Sequence, residues 1–327
     1  MSVRYRRMRA SDVDQCVSYI ARHPLLGPRY GSAIGDLPAA WRQLLGSESF
    51  LGLVCEDLVP VRRIIGCYVC AFITDQFAEE ITTPPLFWVG ACLVNRVMRG
   101  NSPLLTDGQV RDDNSVGGLN LLIWPSAPAA EEENRIDVRQ VSQTTFFDAY
   151  RGYLLKRLNA QAASAMEITM ALNSGGWCLQ GTDGQAVAPL PEPAETFIRK
   201  PHMLQATREM ALRQMGTWVS HFFYYQRPQF GLARGEQRLL AAALHGGTDA
   251  ELADDLQVSL SAIKKTWSSI YRRVAAHEEL LNLGPDPGIE GDRGREKKHK
   301  IIAYIREHPE ELRPVSLKLL EQASEVA

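Results

Sequence analysis

Apolar residues recur at steps of three and four in the C-terminal third of the chain and predict three helices in series. In "GEQRLLAAALHGG", Leu239, Leu240, Ala243 and Leu244 fall at helical spacing, and the run stops at Gly246-Gly247, a pair suited to the left-handed conformation that ends helices. "TDAELADDL" opens with Thr248 and carries Glu251 three residues on, a capping box, so a second helix of about eight residues follows with Leu252, Ala253 and Leu256 inward. After the turn "QVS", Ser259 is the N-cap of a third helix. There Ile263, Trp267, Ile270 and Val274 form one apolar stripe, with Ser261, Lys264, Lys265, Ser268 and Arg272 on the other side.

Upstream the pattern is mixed. "ASDVDQCVSYIARH" predicts a helix capped by Ser11, with Val13, Val17 and Ile20 on one face. "SFLGLVCED", "RRIIGCYVCAFIT", "PPLFWVGACLVNRV" and "GLNLLIWP" predict strands, the second apolar enough to be buried on both sides. "SQTTFFDAYRGYLLKRLNAQ" and "ASAMEITMALNSGG" predict helices. This order gives an α/β or α+β domain with helices packed on a central sheet. "QAVAPLPEPAETF" reads as a proline-rich linker. "HMLQATREMALRQMGTWVSHFFYYQRP" reads as a long helix whose Met203, Leu204, Met210, Leu212, Met215, Trp218, Val219 and Phe222 need a cover, and a second copy of the chain, a homodimer, is the expected one. Beyond Val274 come "AAHEELLNLG", a linker "GPDPGIEGDRG", a helix to about His308 and a short helix around Leu317, Leu319 and Leu320. The expected organisation is an α/β sheet domain over 1–190, a linker helix over 191–230, an all-α domain over 231–283, and a linker with a helical tail over 284–327.

Composition adds limits. The chain has 327 residues, 45% hydrophobic and 23% charged, with a net charge of −2, as a folded protein of two domains would. No stretch reaches the roughly 18 uncharged apolar residues of a membrane helix, so no membrane partner and a cytoplasmic location are expected. The six cysteines show no framework spacing. Cys67 and Cys70 of "CYVC" point to opposite faces of a strand, which argues against a shared metal. Free buried thiols and no metal are expected. The low net charge hides a local contrast: the second C-terminal helix is acidic (Asp249, Glu251, Asp254, Asp255) and the third is cationic.

That three-helix segment, Leu232 to Val274, resembles the DNA-binding domain of LuxR/GerE-type regulators, also found in NarL/FixJ-type response regulators. The resemblance rests on Leu232, Glu236, Leu240 and Gly246, on Glu251, Leu252, Ala253 and Leu256, on Val258 and Ser259, and on Ile263, Lys264, Ser268, Ile270, Tyr271 and Arg272. It departs at Ala233-Arg234-Gly235, where the family usually has Thr-Pro-Arg, at Thr266 and Trp267, and in its short fourth helix. The resemblance implies a helix-turn-helix whose third helix enters the major groove of double-stranded DNA. The contacts carried over are Ser261, Lys264, Lys265, Thr266, Ser268 and Arg272. The expectation is a DNA-binding transcriptional regulator whose N-terminal domain senses a small-molecule ligand or a partner protein.

The N-terminal part resembles a GNAT-type acetyltransferase. "YRRMRASDVDQCVSYI" is similar to that family's first strand and helix, and "CEDLVPVRRIIGCYV" to its second and third strands. "RVMRGNSPLL" stands where active members hold a loop whose backbone N–H groups cradle the pyrophosphate of acetyl-CoA at a helix N-terminus. Gly100 and Ser102 take the two glycine places, and Val97 departs at the first. The alternative is therefore a GNAT-type acetyltransferase with a helical protein-docking appendage. A third reading is an interaction adaptor. Elsewhere the residues show no catalytic constellation and call for no cofactor: the seven histidines are scattered, and Glu56 with Asp57, Asp112 with Asp113, and the "EEEN" run at 131 read as solvated acids.

Overall fold

The structure, a computed structural model, describes residues 3–126, 129, 131–132, 135–162, 164–180, 200–244, 246–281 and 290–326. The chain opens with β1 (Val3–Arg7), then α1 (Val13–Arg22), α2 (Leu26–Tyr30) and α3 (Leu37–Leu44). A hairpin of β2 (Phe50–Asp57) and β3 (Arg63–Ile73) follows, then α4 (Asp75–Glu80), α5 (Val89–Met98) and α6 (Asp107–Ser115). Next come β4 (Leu119–Trp124), α7 (Ile136–Tyr150), β5 (Leu155–Gln161), α8 (Ala165–Ser174), β6 (Cys178–Leu179), β7 (Met203–Thr207) and α9 (Arg208–Arg213). The strands form one seven-stranded sheet in the order β1-β2-β3-β4-β5-β7-β6. Every neighbouring pair is antiparallel except β4 and β5, which are parallel. A mixed α/β domain with a central sheet is thus present.

Helices cover both faces. On one, Val13, Cys16 and Ile20 of α1, Trp41 of α3 and Leu93 of α5 pack on Val54, Cys67, Val69, Leu122 and Trp124. On the other, Tyr150 of α7, Ile168 of α8, Phe222 and Phe223 pack on Cys70, Phe72, Leu119, Leu121 and Leu158. Cys67 and Cys70 therefore lie on opposite faces, as the two-residue strand period requires. All six cysteines are free. No group of acids, histidines and cysteines able to hold a metal ion occurs among the described residues.

The C-terminal helices are α10 (Arg234–Ala243), α11 (Asp249–Leu256), α12 (Leu260–Val274), α13 (Glu290–Glu307) and α14 (Leu317–Val326). Leu239, Leu240, Leu252, Ile263, Trp267, Ile270 and Val274 share one core, closed by Ile301 and Ile305 of α13. Thr248 and Ser259 cap α11 and α12, and Gln257 makes the turn between them at φ 55°. No described helix is long and apolar enough to cross a membrane.

Several local expectations fail. "PPLFWVGACLVNRV" holds helix α5, because Val89, Leu93, Val94 and Val97 bury at helical intervals. "YLLKRLNAQ" contains β5, drawn out of helix by pairing with β4 and β7. No long helix runs over 202–228: Met203–Thr207 is strand β7, and Met203, Leu204, Val219 and Phe222 lie in the sheet's own cores, so the continuous apolar face expected there does not form, although Leu212 and Met215 stay exposed. Ser11 caps nothing; the Asp12 carboxylate accepts from the Arg9 N–H and from Arg6. Asp112 and Asp113 sit in α6 rather than a loop. Helix α13 begins at Glu290, inside the expected linker. The expected linker at 185–197 lies outside the described residues.

Candidate functional site

In a sheet with one parallel pair, the place where those strands part is the natural opening, because each strand end turns to a different neighbour and leaves backbone groups unpaired. β4 and β5 pair as far as Ile123 and Ala160. Past that point β4 stays with β3, where the Ser126 hydroxyl accepts from the Val69 N–H and the Ala129 N–H donates to Ile65 O. β5 stays with β7, and the Ala162 N–H donates to His202 O. The gap is filled from α2. The Tyr30 hydroxyl donates to Pro125 O at 2.6 Å on the β4 side, and Arg29 Nη1 donates to Ala162 O at 3.0 Å on the β5 side.

Both side chains are buried, Arg29 at 5% and Tyr30 at 2% exposure. Trp88 lies 4.7 Å from the Arg29 guanidinium carbon, and the Gln161 amide bridges the Val89 N–H and Phe87 O. Burial pushes the Tyr30 phenol well above its ordinary pKa and lowers that of Arg29. Gly90 completes the fit, since a Cβ there would stand 2.6 Å from the Tyr30 ring. Nothing in the chain's pattern pointed to this cluster: "GPRYG" has no period, and only the fold brings it to the gap.

The connection from β4 into α7 is the strand-to-helix turn beside this gap. An acyl-CoA would need its backbone N–H groups free and its side chains neutral or cationic. Instead, Arg135 Nη1 donates to Asp57 at 2.6 Å and to Glu132 at 2.8 Å, and Arg135 Nη2 donates to Asp137 at 2.8 Å. Arg63 donates to Glu132 at 2.6 Å. The Val138 N–H is taken by the Asp137 carboxylate. The bond from Arg135 holds the Asp57 carboxyl below its usual range. Burial alone would raise Glu132, but Arg135 and Arg63 hold it down. The expected solvated acids Glu56, Asp57 and Glu132 are buried and paired, Glu56 with Arg4, Arg6 and Arg62. Among the described residues of this cluster, three acids (Asp57, Glu132, Asp137) already claim Arg63 and Arg135, and such a set does not fit a pyrophosphate.

The expected cradle at Gly100 is at the wrong end of a helix. Gly100, at φ 75°, ends α5, where carbonyl groups rather than N–H groups face out. Ser102 accepts from the Leu104 N–H, Pro103 and Leu105 bond to Thr74 and Phe72, and α6 is capped by Thr106 further on.

The residues carried over onto α12 do come together. Ser261, Lys264, Lys265, Ser268 and Arg272 are exposed, Thr266 is half-buried, and a shallow cavity of about 570 Å³ is lined by Ser261, Ala262, Lys264, Lys265 and Ser268. Their hydroxyls are engaged within the helix: Thr266 donates to Ala262 O, Ser268 donates to Lys264 O, and Ser261 bonds Ser259. The helical segment 231–281 carries six basic residues (Arg234, Arg238, Lys264, Lys265, Arg272, Arg273) against seven acidic ones (Glu236, Asp249, Glu251, Asp254, Asp255, Glu278, Glu279). That lacks the strongly basic footprint of a nucleic-acid-binding domain.

No family model matches the chain, and no curated protein matches it. Among solved structures it is similar to a spermidine N-acetyltransferase chimera from Vibrio cholerae and hSSAT, at 8% identity and a TM-score of 0.36 over 63% of this chain and 96% of that one. It is also similar to a histone acetyltransferase HPA2 and related acetyltransferase from Corynebacterium glutamicum, at 8% and 0.35 over 63% and 97%. A third is a ribosomal-protein-S5-alanine acetyltransferase from Vibrio fischeri, at 15% and 0.32 over 63% and 93%. Likenesses this distant carry no argument about activity. The expectation of a LuxR-type, DNA-binding transcriptional regulator is corrected on the segment's own charge: six basic against seven acidic residues leave the three helices near neutral, without the basic footprint that reading requires.

Proposed function

We propose that the chain is a binding protein built on an acetyltransferase-type sheet, with the C-terminal helices as its protein-docking appendage, and that no acyl transfer runs through the β4–β5 gap. The observation that carries this reading is the pair Arg29 and Tyr30 seated across the gap and bonded to Ala162 O and Pro125 O. An acyl donor entering there would displace two buried side chains and strip two backbone carbonyls of their partners, at about 1–3 kcal/mol for each group left unpaired. The single parallel pair in an otherwise antiparallel sheet supports a GNAT-like scaffold. The acids around Arg135 speak against the donor on the same scaffold. The docking part is supported by the exposed cationic face of α12, which no element of the chain covers among the described residues.

The test is an acyl-transfer assay. Purified protein is incubated with acetyl-CoA and a panel of primary amines, with thiol release and the thermal midpoint as readouts. Thiol release at the buffer rate and an unmoved midpoint at millimolar acetyl-CoA are expected. A ligand held by the folded state at 100 times its Kd adds about 2.7 kcal/mol. A saturable rise in midpoint or enzyme-dependent thiol release contradicts the reading.

A further inference from the structure

On either side of the turn from α11 into α12 stand exposed residues of opposite charge. Asp254 and Asp255 form the acidic arm, and Ser261, Lys264 and Lys265 form the basic one. Between them Val258 and Leu260 are 45% and 43% exposed, apolar side chains at the tip of a turn. Among the described residues, none of Asp254, Asp255, Lys264 and Lys265 forms an ion pair within the chain. The acidic pair sits in the last turn of α11, which has no basic residue, at the end of a helix that favours a cation. Helix α12 has no acid in its first turn.

A strip with an acidic arm, an apolar centre and a basic arm is self-complementary under a two-fold rotation: each arm meets its opposite while the centres meet each other, as an isologous contact requires. We propose that this strip is the contact between two copies of the chain. Val258 and Leu260 of each copy then pack at the axis, with Asp254 and Asp255 of one copy against Lys264 and Lys265 of the other, twice over. The inference rests on the appendage being a docking unit and names its occupant as a second copy. The chain's net charge of −2 sets up little long-range repulsion against such a pair. A duplex nucleic acid fits less well, because its phosphates would meet Asp254 and Asp255 beside the lysines.

The test uses the full chain in sedimentation equilibrium from 50 to 500 mM salt. A dimer that weakens as salt rises is expected. Lys264→Glu with Lys265→Glu makes both arms acidic, and Asp254→Lys with Asp255→Lys makes both basic. Each variant alone is expected to raise the dimer Kd about tenfold or more, and an equimolar mixture of the two to restore a dimer containing one chain of each. A wild-type monomer at tens of micromolar overturns the proposal, as do variants that dimerise like wild type or a mixture that stays monomeric. A wild-type monomer that instead holds duplex DNA or an acidic peptide through Lys264 and Lys265 overturns it in favour of that occupant. The salt series on wild type needs no variant to fold. Thiol release from acetyl-CoA would overturn the non-transferase reading and leave the dimer standing, and a monomer would do the reverse.

Discussion

Gly90 and Tyr30 are a matched pair. At Gly90 the helix passes so close to the Tyr30 ring that a methyl group would lie at 2.6–2.8 Å from three of its atoms. Gly90→Ala should therefore destabilise the protein by about 1–3 kcal/mol, through forced movement of a ring with no space to move into. In a Tyr30→Ala background the same substitution should do less than half that damage, a coupling that urea midpoints of the four proteins would reveal. Equal losses in both backgrounds would mean that the ring and the helix do not meet. Neither residue announces this role in sequence, because a buried Arg-Tyr step in a five-residue helix has no period to read. The acids were half legible. Glu56 and Asp57 were visible at a strand end, but their arginines come from β1 and from residues 62, 63 and 135, and only the folded chain joins them.

Among the elements, those carrying a strong period were legible and those governed by neighbours were not. The stripe Ile263, Trp267, Ile270 and Val274 is buried as spaced, and the caps Thr248 and Ser259 bond as their positions require. Strand β7 defeats the same reasoning, since Met, Leu, Gln and Ala are good helix formers and only pairing with β5 makes them extended. The tail was read only as a pair of helices, α13 and α14, yet the stretch between them joins the two halves. Asn114 donates to Pro314 O, Arg313 donates to Arg151 O and Asp148 O, and the Glu311 carboxylate accepts from the Gln229 and Phe230 N–H groups at 2.6 and 3.0 Å.

Burial pushes the Glu311 carboxyl from 4.5 up to about 7, with those two N–H groups pulling the other way. Below pH 4.5 it is protonated in both states and adds no pH dependence. Between 4.5 and 7 the unfolded chain releases the proton first, so stability falls as pH rises, by at most about 3 kcal/mol, and stays level above. Glu311→Gln should remove that fall from the urea-midpoint profile between pH 5 and 7. A variant profile parallel to wild type would show that the joint does not titrate.

At the scale of the molecule, a seven-stranded mixed sheet carries a near-neutral set of helices, and the departures from expectation at this scale share a cause. Net charge and local motif were read one segment at a time, while the gap, the acid clasp at α7 and the tail are made by residues far apart in the chain. The central claim is that the β4–β5 gap is closed by Arg29 and Tyr30. Calorimetric titration of acetyl-CoA into the wild-type chain at pH 7.5 tests it most directly. The account predicts heats of dilution alone up to millimolar ligand, and one-site saturable binding would contradict it.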